Sequence, residues 1–101
     1  MLDLTADDLG AWITADEVRH NTVIFSVRVI DLAVANGLGI DWDADRAVIV
    51  AGVADNELLM WLDDLYYDAL DYLNSITPKP FYFTTNQDGL FLKDRSAVSA
   101  H

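Results

Sequence analysis

The chain has 101 residues, 52% of them apolar, with 17 acidic side chains against six basic ones and no cysteine. Its length predicts one domain with an unaided core, and its apolar content excludes wholesale disorder. A formal charge of −11 argues against direct contact with nucleic acid or an anionic membrane, both of which call for Lys and Arg. The missing cysteines exclude disulfides and thiolate zinc sites.

The opening, MLDLTADDLG, lacks the basic-then-apolar pattern of a signal peptide. Thr5 and Asp8 form a helix-start pattern related to the capping box. With Leu9, Trp12 and Ile13 on one face, they predict a short helix, bent near Gly10. Thr14-Ala15-Asp16-Glu17 is a capping box proper and predicts a second helix running to about Ala35. Asn36-Gly37 supplies its left-handed stop. Val23, Ile24, Val27, Ile30 and Val34 make its core face. The β-branched run over 22–30 leaves a strand open as the alternative there. The segment is interrupted by Ser26, Arg28 and Asp31, so it is too short and too charged to span a bilayer. A cytoplasmic location is expected.

Asp43 or Asp45 should cap a third helix. The run Arg46 to Val53 is apolar almost all round and is expected to be buried. Asp41, Asp43 and Asp45 alternate as in a calcium loop. Arg46 stands where such a loop has glycine, however, and Gly52 where it has a bidentate glutamate. Helix capping is the better account of these carboxylates.

Residues 55–76 carry the most definite pattern. Leu58, Leu62, Leu65, Ala69, Tyr72, Leu73 and Ile76 recur at steps of three and four, as one helical face does. Glu57, Asp64, Asp68 and Asp71 recur the same way on another face. Asp55 is a natural N-cap, and Pro78 and Pro80 stop the helix. Residues 41–76 hold nine acids and only Arg46, so the acidic body of the chain lies here. Trp61, Tyr66 and Tyr67, with Leu59 and Met60, extend the apolar surface beyond the core stripe. They are either further core or a partner surface, since aromatic and Met side chains among acids are what interfaces show.

After Pro80 the periodicity changes to two. Phe81, Phe83 and Thr85 alternate with Tyr82 and Thr84, and Asp88-Gly89 precedes Leu90-Phe91-Leu92. This predicts a β-hairpin that must pack on the helices. The fold class expected is mainly α (α+β): three to four helices with a C-terminal hairpin, one domain over 1–93, and a frayed tail over 94–101.

Ala69-Leu70-Asp71-Tyr72-Leu73-Asn74, then Pro80-Phe81-Tyr82-Phe83, then Asp88-Gly89-Leu90-Phe91-Leu92, resembles the C-terminal half of small acidic accessory proteins of tailed bacteriophages. The likeness covers residues 55–93. Those proteins carry Gly-Tyr after the Pro, where this chain has Phe81-Tyr82. The resemblance implies a phage origin, a host-directed role and the host cytoplasm as location.

His20 and His101 have no motif neighbour, no serine sits in a nucleophile elbow, and Gly37-Leu38-Gly39 lacks the rest of a phosphate loop. No enzyme, cofactor or metal site is expected. The expected function is a non-catalytic interaction protein that binds a host protein through Glu57, Trp61, Asp64, Tyr67, Asp68 and Asp71. A homodimer is the other partner the apolar surplus suggests. The alternative function is mimicry of a nucleic acid by the acidic row, directed at a DNA- or RNA-binding protein.

Overall fold

A computed structural model describes residues 3–95. It contains three α-helices and a three-stranded antiparallel sheet in the order β1-β3-β2, a mixed α+β architecture. The elements are β1 (Gly10–Thr14), α1 (Thr22–Ala35), α2 (Asp43–Val50), α3 (Asn56–Ser75), β2 (Phe81–Asn86) and β3 (Gly89–Asp94).

The first expected helix is corrected to a strand. Thr5 and Asp8 do close a capping box, but it holds only a 3-10 turn over Ala6–Asp8. The chain then extends into β1, which pairs with β3 and shifts register between Ala11 and Ile13. Trp12 sits at that bulge. Its indole N–H donates to the Asp8 carbonyl at 2.8 Å, and its ring meets Phe83 edge-on at 5.0 Å. Ile13 points into the core.

The second helix starts later than its capping box suggests. Thr14 and Glu17 exchange their bonds, at 2.6 and 3.2 Å, yet the turn they open ends at Arg19 and His20, both left-handed. Asn21 is the true cap of α1, accepting from Val23 and Ile24 N–H. The segment 22–30 is helix, and the strand alternative falls. The C-terminal stop is where the sequence puts it. Gly37 takes φ 109°, and a β-carbon there would press on the Tyr72 hydroxyl, which donates to the Asn36 carbonyl.

α3 has the expected cap, with Asp55 accepting from Leu58 N–H at 2.9 Å. At its other end the Ser75 and Thr77 hydroxyls bond the Tyr72 and Leu73 carbonyls, which serves acceptors a helix end leaves open. Leu62, Leu65, Ala69 and Leu73 are buried and pack with Val27, Ile30 and Ala33 of α1 and with Phe83, Leu90 and Leu92 of the sheet.

α2 departs most from expectation. Only Ile49 of its residues is buried, so the apolar run 46–53 is largely at the surface. Trp42 precedes the helix without a side-chain cap bond and is itself buried. Asp43 and Asp45 lie in the first turn rather than capping it, where their charge still suits the positive helix end. Arg46 ties α2 to α1 through a two-pronged contact with Asp31, at 2.8–3.1 Å. That contact raises the guanidinium pKa above its ordinary value.

The hairpin forms from β2 and β3, joined by Gln87-Asp88. It is part of a larger sheet than the sequence suggests, because β1 takes the other side of β3. The outward backbone of β2 is not bare. Asn74 at the end of α3 accepts from Phe83 N–H at 2.6 Å and donates to the Phe83 carbonyl at 3.1 Å. Asp94 closes β3 and Arg95 N–H donates to the Pro80 carbonyl. Asp94 and Arg95, expected in the tail, therefore belong with the sheet, and the rest of the expected tail, residues 96–101, lies outside the described residues.

Candidate functional site

α3 turns its buried stripe to the core, and its opposite side carries every residue singled out from the sequence. Glu57, Trp61, Asp64, Asp68 and Asp71 follow one another at steps of four, three, four and three. They form a single row along the helix, all of it exposed. The row spans about 21 Å at a rise of roughly 1.5 Å per residue. Tyr67 stands one row over, beside Met60. Met60 is 70% exposed, Tyr67 65% and Trp61 39%. Of the rings in doubt, these two are therefore surface, while Tyr66 is half-buried. Tyr66 bonds the Thr85 hydroxyl at 3.2 Å and backs Tyr67 with an edge-on contact at 5.1 Å. Leu59 is half-buried against the core.

The charge of this face is unrelieved. α3 holds Glu57, Asp63, Asp64, Asp68 and Asp71 and no base. The ion pairs among the described residues lie elsewhere, at His20–Asp16, Arg28–Glu17 and Arg46–Asp31. Lys79, Lys93 and Arg95 gather at the open end of the hairpin, where Phe81 is paired with Asp94. Asp68 and Asp71 lie in the second half of α3, toward the negative end of its dipole, and stand three apart. Asp64, Asp68 and Asp71 thus stand at like-charge steps of four and three, which disfavour the helix by a few tenths of a kcal/mol.

A second feature escaped the sequence reading. Val48 of α2, Val53 of the following loop, and Leu58 and Trp61 of α3 line an open groove of about 540 Å³. Val53 is 71% exposed. The signal was present in the composition, as the apolar run ending at Val53. A helix of eight residues buries little, however, and the run therefore shows its valines to solvent.

Among the described residues no three His, Asp or Glu side chains come together to hold a metal ion. Asp43 and Asp45 belong to the first turn of α2. His20 is exposed and 3.1 Å from Asp16. No helix among the described residues is long and apolar enough to cross a membrane. Comparison of the chain with protein-family models, with curated proteins and with solved structures finds no match.

Proposed function

We propose that this chain is a non-catalytic interaction protein that binds a partner protein through the outer face of α3. Following the phage resemblance, the partner is a host protein met in the host cytoplasm. The observation that carries the reading is the exposure of Trp61 within, and of Met60 and Tyr67 beside, an acidic row that has no ion-pair partner among the described residues. Large rings and methionine are what protein interfaces concentrate. Acids scattered over the surface would keep the chain soluble equally well, whereas a row on one helix face works against that helix.

The row also favours a second reading. Glu57, Asp64, Asp68 and Asp71 present regularly spaced charge on one face, as a duplex backbone does, so the partner's site is then a basic nucleic-acid groove.

The test is affinity capture from host lysate followed by binding measurements with variants. For the aromatic site, Trp61→Ala or Tyr67→Ala should weaken binding by about 2 kcal/mol or more, the size of a hot spot. Added salt should matter little. For mimicry, neutralising Glu57, Asp64, Asp68 and Asp71 together to Gln and Asn should abolish binding. Salt should then weaken it steeply, and duplex DNA or RNA should compete. A partner indifferent to both sets of changes would remove both readings.

A further inference from the structure

The groove between α2 and α3 differs from the acidic row in one respect: it sets apolar side chains of two helices and their connecting loop beside acidic ones. Val48, Val53, Leu58 and Trp61 line it together with Asp45, Asp55 and Glu57. Arg46, the base nearest in sequence, is held away by Asp31 on α1. Asp55 gives one oxygen to Leu58 N–H at the start of α3, and among the described residues no basic side chain pairs with Asp45, Asp55 or Glu57, so the groove sets these carboxylates beside side chains that water solvates poorly.

We infer that this groove docks a basic amphipathic helix, its apolar side on Val53 and Trp61 and its Lys or Arg residues on Asp45, Asp55 and Glu57. This rests on the reading of the chain as an interaction protein and names the chemistry of what it binds. The walls of the groove are helices and the connecting loop, with no strand among them. An extended segment lying there would find no backbone ladder to join. A helix satisfies its own N–H and C=O groups and brings only side chains to the groove, spaced three and four apart. The acidic row continues from Glu57 along α3 to Asp71, so basic residues flanking the apolar side meet further carboxylates.

A second copy of the chain does not supply such a helix among the described residues. α1 carries a single base, Arg28, which lies 3.6 Å from Glu17. α2 carries only Arg46, already paired with Asp31, and α3 carries none.

The experiment is calorimetric titration of the whole chain with a synthetic helix-forming peptide of about 18 residues. The peptide has Leu at positions i, i+4, i+7 and i+11 and Lys or Arg elsewhere. A peptide of the same composition in scrambled order is titrated in parallel. The ordered peptide should bind at least tenfold more tightly than the scrambled one. Val53→Asp is the decisive variant, because added negative charge would strengthen any attachment that is electrostatic alone. Here it should weaken the ordered peptide tenfold or more. Val53→Ser should act in the same direction, and Asp88→Asn, outside the groove, should change nothing. Equal binding of the two peptides, or unchanged or tighter binding by the Val53→Asp chain, would overturn the inference. A captured partner that depends on Tyr67 but ignores Val53→Asp would overturn it too, while leaving the outer-face reading intact.

Discussion

Gly89 carries two constraints at once. Its φ is 139°, where a side chain is strained, and a β-carbon would be driven into the Ile13 carbonyl oxygen on β1. The Asp-Gly pair marks the first constraint in the sequence. The second depends on a strand that the sequence does not announce. Gly89→Ala should therefore destabilise by about 2–4 kcal/mol in urea denaturation, combining backbone strain with overpacking. A loss under about 1 kcal/mol would mean that β1 is not held against Gly89. Thr14 and Glu17 show the opposite relation between signal and outcome. Their capping box forms, but the left-handed pair Arg19 and His20 ends the turn within six residues. A capping box reports that a turn can begin and says nothing about how far it runs.

At the scale of elements, α3 was the most legible, because its periodicity repeats over twenty residues and both ends carry their own stop signals. Leu62→Ala or Leu65→Ala should cost on the order of 2–5 kcal/mol, while Met60→Ala, on the open side, should cost little. Thermal or urea unfolding of the three variants tests the orientation of the helix, and similar losses at all three positions would contradict it. β1 was hidden for a physical reason. It is five residues long with a bulge at Trp12, so its alternation is broken, and its partner β3 lies at the far end of the chain. α2 was misplaced because apolar composition reports a preference for burial. Eight residues do not present enough surface for several valines to satisfy it. The candidate site was legible in its α3 row, which shares the periodicity of the helix. It was illegible in the groove, where Val48 and Val53 meet Trp61 only through the fold.

For the whole molecule, charge decides how copies meet. Two α3 faces brought together through Met60 and Tyr67 would set the four carboxylates of one row, Glu57, Asp64, Asp68 and Asp71, close to the four of the other. The homodimer suggested by the apolar surplus should therefore form only where salt screens them, near about 1 M, where the screening length is about 3 Å. Light scattering at micromolar concentration should give the chain mass in dilute salt and twice that mass in concentrated salt. Association that weakens with salt would instead point to the basic end of one hairpin resting on the acidic face of another molecule, a head-to-tail contact that need not close. Asn74 bears on a further kind of encounter. β2 reads Phe-Tyr-Phe-Thr-Thr-Asn, uncharged and rich in aromatic and β-branched residues, the composition from which stacked fibrils grow. By occupying both backbone groups of Phe83, the Asn74 amide acts as a stopper on that edge, where a foreign strand would otherwise attach. Without it the danger is one of time as well as stability: the folded Asn74→Ala chain should seed slow fibre growth on standing, read by thioflavin fluorescence, even in samples whose melting temperature has fallen by only a few degrees.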